Sequence, residues 1–378
     1  MNNQTLFANR RIRINPGVCR LIKRYLKGPG TILAQKNTEI APHDIIGRYK
    51  ITGGFSVVNL AKELNVSPGD VPKYLKKTVG DTVYKGELLA DRKGLFSSAQ
   101  IIAPNDSIFE SVSSTTGEAR FKMIPREFSL TSGVFGVVDN VDRERGEVTI
   151  KCVMTEIYGV VGTGSDKEGF LSVISGPGDL VSPSKITAEH RGQILVAGSL
   201  LMEETIKQAL SNSVSGIICG GLNMDDYLAM VTSFSPSKRI GTEIGISIIA
   251  TEGFGIIPIG DDFQEVLLRH NSRFAMINGN LGRLLLPSDD ANSILTCRKV
   301  SLPPQIAQGV KPELSVAEIK PGIKVRLVWP PFMGAQGVVG SVDASPTTLE
   351  SGISTYLLTV ETSKRKIKVP YSNVEIIS

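Results

Sequence analysis

The sequence predicts a multidomain, mainly β protein with a central α/β domain. Three observations carry this expectation. At 378 residues the chain is long for one domain. Its 38 glycines and 20 prolines cut the apolar stretches into short runs, which suit strands and tight turns better than long helices. Between about residues 166 and 305 the rhythm changes, and short apolar strands alternate with helix-spaced segments. The expected divisions are 1–165, a β-rich region with a basic N-terminal arm; 166–305, a small α/β domain; 306–320, a linker; and 321–378, a small β-barrel.

In the first division Thr31-Ile32-Leu33-Ala34 is a strand candidate, and Asp44-Ile45-Ile46-Gly47 follows a turn. One helix is expected from Val58 to Leu64, capped by Ser56. A Gly80-Asp81 corner leads into a short apolar strand, Lys85-Gly86 turns the chain, and Glu87-Leu88-Leu89-Ala90 continues it. After Ile101-Ile102, the corner Ala103-Pro104-Asn105-Asp106 opens another strand from Ile108 to Val112. Val134 to Val138 and Val148 to Ile150 flank Asn140 to Gly146, a β-hairpin with a charged tip.

In the second division Gln193 to Ala197 is a strand of the buried kind, broken by Gly198-Ser199. Leu201, Ile206 and Leu210 then fit one helix face. Val214 to Cys219 is a second strand, ended by Gly220-Gly221, and Met224 to Thr232 a second helix. Ile246 to Ala250 is a third strand, ended by Thr251-Glu252-Gly253-Phe254-Gly255, and Phe263 to His270 a third helix. Such alternation implies parallel pairing through right-handed crossovers. Beyond a stretch rich in Pro, Gly and polar residues, Val325 to Val328, Gly337 to Val342, Tyr356 to Val360 and Ile367 to Val369 read as a small sheet.

Three resemblances follow from these residues. The turn pattern from Gly80 to Asp106 resembles the barrel-sandwich hybrid domains of biotinyl and lipoyl carriers, and the N-terminal region of the C subunit of Rnf-type electron-transport complexes. It covers about residues 75 to 115. Carriers are modified on a hairpin lysine. The nearby Lys93, in Asp91-Arg92-Lys93-Gly94, lacks the flanking methionines, and the Rnf subunit's cysteine-rich cluster region is missing. Neither modification nor electron transfer is carried over. In the middle, Gly192-Gln193-Ile194-Leu195-Val196, Gly216-Ile217-Ile218, Gly220-Gly221 and Asn278-Gly279 are similar to swivelling phosphohistidine domains. Where that family places its histidine, this chain has Leu222-Asn223-Met224-Asp225-Asp226, so the resemblance implies shape without the chemistry. From Gly322 through Trp329-Pro330-Pro331-Phe332-Met333-Gly334 to Gly337-Val338-Val339, the end of the chain resembles the KOW-type barrels of a transcription elongation factor and some ribosomal proteins. That resemblance implies an interaction module for RNA or protein.

Charge and cysteine content narrow the classes. The net charge is +5, and no acidic residue precedes Glu39, whereas Arg10, Arg11, Arg13, Arg20, Lys23, Arg24, Lys27 and Lys36 do. Such a segment attracts phosphates, or is simply a solvated, partly flexible arm. Cys19, Cys152, Cys219 and Cys297 are scattered without metal-ligand spacing, so no metal or cofactor is expected and the thiols read as free. The N-terminus lacks the apolar core of a signal peptide, and no run is long enough to span a bilayer. A cytoplasmic protein without membrane insertion is the expectation.

Candidate sites follow from position. Loops at the C-terminal ends of parallel strands converge where ligands bind, which singles out Gly220, Gly221, Asn223, Thr251, Glu252 and Gly253. Ordinary turn glycine is the alternative. His43, His190 and His270 stand alone; Asp225-Asp226 and Asp261-Asp262 have the ligands for a hard cation, but they sit where helices begin, and capping is the simpler explanation. On the KOW-like barrel, Arg326, Trp329, Phe332, Lys364, Arg365, Lys366 and Lys368 combine cations and aromatics, which suits single-stranded RNA; a solvated basic hairpin with Trp329 in the barrel core is the alternative. Three functions are open: a non-enzymatic adaptor or scaffold holding protein partners; an RNA-, transcription- or ribosome-associated factor using the arm and barrel; and an enzyme or ligand-binding protein using the glycine-rich edge. No nucleophile–base pair stands out for the last.

Overall fold

The molecule is organised around one twelve-residue strand, Glu147–Tyr158. Its apolar residues fall on both faces, because side chains alternate along a strand and both faces here are covered. Val148, Ile150, Cys152 and Met154 enter one core, while Val153 and Ile157 enter others on the opposite face. The computed structural model describes residues 5–51, 53–93, 98–232, 244–300 and 314–377. About 46% of the chain is strand and 16% helix, spread over several sheets, so the protein is mainly β.

Glu147–Tyr158 pairs antiparallel with Ile14–Tyr25 along its length. On its other edge the first half pairs with Gly136–Asp142 and the second half with Arg283–Pro287. A second sheet, Arg126–Thr131, Ile45–Ile51 and Gly30–Ile32, closes over the first through Ile22, Ile46, Tyr49, Leu130 and Val138. Between Ile51 and Arg126 the chain leaves this β body and builds a unit with its own core. There Phe55–Asn59, Glu118–Met123, Ser107–Val112 and Thr82–Val83 form one sheet, and Leu88–Lys93 with Ser98–Ile102 another. Leu64, Val83, Leu89, Phe109 and Phe121 fill the space between them. Residues 94–97, beyond Lys93, lie outside the described residues.

The expected helix at Val58 divides differently. Residues Phe55–Asn59 are strand and the helix is Leu60–Leu64. Asn59, not Ser56, caps it, its Oδ1 accepting from the Lys62 N–H at 2.9 Å. The β-branched pair Val57-Val58 favours the pleated conformation, and Asn59 supplies the acceptor a helix start needs.

The middle of the chain forms a parallel sheet in the order Ser247–Phe254, Gly216–Leu222, Ile194–Val196, Asp166–Val173. Helices Glu203–Ser211 and Met224–Thr232 lie toward the face of Leu195, Ile217 and Ile248. Helix Asp261–Arg269 packs on the other face through Phe263 and Leu267, against Ile194, Val196, Ile218 and Ile249. Asp166–Val173 then pairs antiparallel with Phe274–Asn278, which leads through Arg283–Pro287 to Glu147–Tyr158. One twelve-stranded sheet therefore runs across residue 165 without a break.

The C-terminal sheet has seven strands, and one comes from the far end of the chain. Phe7–Arg10 lies between Ser315–Glu318 and Val374–Ile376, and Lys324–Leu327, Gln336–Val342, Leu357–Thr362 and Lys366–Pro370 complete the order. Leu6 and Ala8 enter its core beside Val325, Leu327 and Val360. Part of the expected linker, 306–313, lies outside the described residues, and Ser315–Glu318 within it is strand. The N-terminal segment is likewise not a free arm from residue 5 onward: it supplies a strand to this sheet and then a long strand to the β body.

Candidate functional site

The glycine-rich edge of the parallel sheet is occupied by the chain's own backbone. A Cβ on Gly220 would lie 1.9 Å from the carbonyl oxygen of Ile257, and one on Gly221 1.9 Å from that of Gly255. Only glycine permits this approach. The Gly220 and Gly221 N–H groups donate to the carbonyls of Gly198 and Ser199 at 2.8 and 3.0 Å, so neither is available to receive an anion. Asn223 Oδ1 accepts from the Asp225 and Asp226 amides at 2.8 and 3.1 Å and serves its own helix. Gly253, at φ +130°, shapes the strand end. Thr251 is buried, and its carbonyl accepts a hydrogen bond from Arg13.

Glu252 leads to a buried charge cluster that joins three parts of the chain. Arg326 Nη1 and Nη2 donate to its two carboxylate oxygens at 3.0 and 2.7 Å. The same guanidinium donates through Nε and Nη2 to Asp262 at 2.8 and 3.0 Å. Arg13 Nη2 reaches Glu252 at 3.3 Å, and Arg13 Nε lies 3.5 Å from Glu375. Both guanidinium groups stand over the Phe263 ring, 5.0 and 4.8 Å from its centre. The geometry needs two glycines. A Cβ on Gly260 would fall 2.2 Å from Arg326 Nη2, and one on Gly334 2.4 Å from the Asp261 nitrogen. The Asp261 N–H donates to the Met333 carbonyl at 3.0 Å, which seats the C-terminal barrel on the first turn of helix Asp261–Arg269.

The two arginines balance differently. Burial opposes the Arg326 charge, but hydrogen bonds and attraction from Asp262 and Glu252 outweigh it and raise its pKa. For Arg13 burial prevails: Glu375 and Glu252 support the charge, Arg326 and Arg11 oppose it, and the pKa is lowered. Arg326, expected on a nucleic-acid-binding face, is fully buried and unable to reach a phosphate. The basic N-terminal segment is also largely neutralised. Arg20 pairs with Glu156 at 2.7 Å, Lys23 with Glu147 at 2.8 Å, and Arg24 with Glu168.

Beside this cluster lies a cleft of about 480 Å³ between helix Asp261–Arg269 and the barrel. One wall is acidic, with Asp261, Asp262 and Glu265; the other holds Lys364 and Arg365; Ile14, Val266, Phe332 and Ile367 contribute apolar surface. Arg365 lies over Phe332, 4.6 Å from the ring centre. Trp329, 47% exposed, is tilted against Phe332 with centroids 6.2 Å apart. Lys366 and Lys368 are exposed but paired, with Glu361 at 2.5 Å and Asp343 at 3.1 Å. Among the described residues Lys364 and Arg365 form no ion pair. Of the seven residues expected on this barrel, Phe332, Lys364 and Arg365 meet in the cleft, Trp329 touches Phe332, and Arg326 supports the cleft from within.

Sequence reasoning missed Glu265 and the facing of Asp261-Asp262 toward a basic hairpin about a hundred residues later. An acidic pair at a helix start was the only local signal, and it reads equally well as capping. Among the described residues no three His, Cys, Asp or Glu side chains group as metal ligands, and no helix is long and apolar enough to cross a membrane. No protein-family model, curated protein or solved structure matches the chain.

Proposed function

We propose that this chain is a non-enzymatic adaptor that holds a polypeptide partner in the cleft between helix Asp261–Arg269 and the C-terminal barrel. The observation that carries this reading is the mixed charge of the cleft. Asp261 and Glu265, the latter paired with Arg269 of its own helix, face Lys364 and Arg365, which form no ion pair among the described residues, across apolar surface that includes Phe332, while Asp262 is held by Arg326. Complementary opposite charges around an apolar, aromatic-bearing centre are what protein interfaces use for register and specificity. A nucleic-acid backbone is uniformly negative and would be repelled by the acidic wall. The glycine-rich edge is filled by the chain's own backbone, so the reading rests on the cleft.

A second reading, an RNA-associated factor, is favoured by exposed Trp329 and the basic hairpin around Lys364, where bases would stack away from the carboxylates. One experiment separates the two. Tagged full-length protein and the double variant Phe332→Ala/Arg365→Glu are used for affinity capture, with and without nuclease. The adaptor reading expects a protein partner that survives nuclease and is lost from the variant. Capture of RNA, or a partner lost on nuclease treatment, would replace it with the second reading.

A further inference from the structure

Cys19 and Cys297 meet on the outer side of the β body. Cys19, on strand Ile14–Tyr25, pairs in register with Val153, whereas Arg20 pairs with Cys152. Because strand side chains alternate, Cys19 and Val153 share one face and Cys152 takes the other. Helix Ser293–Lys299 covers the Cys19 face and buries Cys297 against Cys19, Val137 and Val153. The two sulfur atoms are 3.9 Å apart. Cys152 lies in the inner core, with its Sγ near the Arg20 carbonyl, and Cys219 is buried beneath the α/β helices.

We propose that Cys19 and Cys297 are a peroxide-oxidisable dithiol that closes to an intramolecular disulfide. The roles follow from exposure and charge. Cys19 is 7% exposed and Cys297 fully buried, so a peroxide meets Cys19 first. The hydrogen bond between Cys19 and Cys297 favours the Cys19 thiolate and outweighs burial, with help from Lys151 and Arg20, bringing its pKa down to about 7. The Cys19 thiolate attacks one peroxide oxygen, the O–O bond breaks, and the departing hydroxide takes up a proton as water. Cys297 then attacks the Cys19 sulfenic sulfur; the S–S bond forms, the S–O bond breaks, and a second water leaves. Two thiols and one hydrogen peroxide thus give one disulfide and two waters. The bond would join positions 278 residues apart and tie helix Ser293–Lys299 to the strand beneath it.

The test is intact-mass analysis of the full-length protein after hydrogen peroxide treatment, followed by digestion without reductant. The expected result is a loss of about 2 Da, reversed by dithiothreitol, with one cross-linked peptide pair containing Cys19 and Cys297. Cys152→Ser keeps the loss. Cys297→Ser abolishes it and leaves a dimedone-reactive sulfenic acid at Cys19. An unchanged wild-type mass, a gain of oxygen without a cross-link, a link through Cys152 or Cys219, or an intermolecular dimer would each overturn the proposal.

Discussion

Removing the Arg326 guanidinium should detach the C-terminal barrel from the α/β unit. Arg326→Ala deletes four charge-assisted hydrogen bonds. Glu252 would keep Arg13 at 3.3 Å and the Gly260 N–H at 3.2 Å, while Asp262 would keep, among the described residues, only the Gln336 side chain at 3.5 Å. Breaking a buried ion pair from one side costs about 3–5 kcal/mol, because the remaining charge stays desolvated and unpaired. The assay is urea unfolding of wild type and variant. It is followed by the fluorescence of Trp329, the only tryptophan, and by far-ultraviolet circular dichroism. The wild type is expected to lose both signals together. In the variant the Trp329 transition should move to lower urea and separate from the main one, as expected when a docked unit loses its anchor. Asp262→Asn alone should cost less, and the double variant should fall short of the sum by roughly 1–3 kcal/mol, the signature of direct contact. A loss below about 0.5 kcal/mol for Arg326→Ala, the value of a surface position, would refute the reasoning. So would strict additivity with Asp262→Asn.

Gly220→Ala places a methyl group 1.9 Å from the Ile257 carbonyl and should destabilise by about 3 kcal/mol in urea unfolding. Gly54→Ala, whose Cβ meets nothing within 4 Å, serves as the neutral control. His270 is held below its ordinary 6.5 by burial, opposed by its hydrogen bond to the Pro287 carbonyl at 2.7 Å. The unfolded chain therefore binds the proton first. Stability from this site is complete above the unfolded value and falls as pH drops through the folded one. His270→Gln should flatten the fall of the urea midpoint as pH drops below 6.5. Glu156 is fully buried; burial raises its pKa, but Arg20 and Tyr158 outweigh this and lower it. Glu156→Ala leaves Arg20 without that partner and should cost about 3 kcal/mol by the same denaturation measurement.

The α/β rhythm was legible because it is local. The helix expected from Met224 to Thr232 is observed there, but Gly220-Gly221 does not end the strand before it: the strand runs on to Leu222, with a register shift between Cys219 and Gly221 where the sequence suggested a break. The central helix Asp261–Arg269 starts two residues earlier than its apolar face suggests, since Asp261 and Asp262 fill a first turn that carries no core residue but Phe263. What the sequence could not disclose is non-local. Phe7–Arg10 carries no mark of its pairing with Ser315–Glu318, because β partners are chosen by the whole core. The run of basic residues before Glu39 suggested an electropositive arm. Its neutralising acids, Glu147, Glu156, Glu168, Glu252 and Glu375, all come from later in the chain. Arg326 misled in the same way. Beside Trp329 and Phe332 it resembled a phosphate contact, yet strand alternation turns it away from the barrel core that Val325 and Leu327 fill, onto two carboxylates of the α/β unit. Of the candidate site, the basic and aromatic half was readable from the barrel's own sequence. The acidic half belongs to a distant helix, and only the fold brings the two together.

The most direct test of the account is hydrogen–deuterium exchange on the full-length chain, alone and with the protein partner recovered by affinity capture. The account expects protection on binding to concentrate in helix Asp261–Arg269, around Pro331 to Gln336, and in the hairpin around Lys364 and Arg365, the segments that wall the cleft. Protection confined to the unit between Phe55 and Met123, with the cleft segments exchanging as in the free protein, would contradict it.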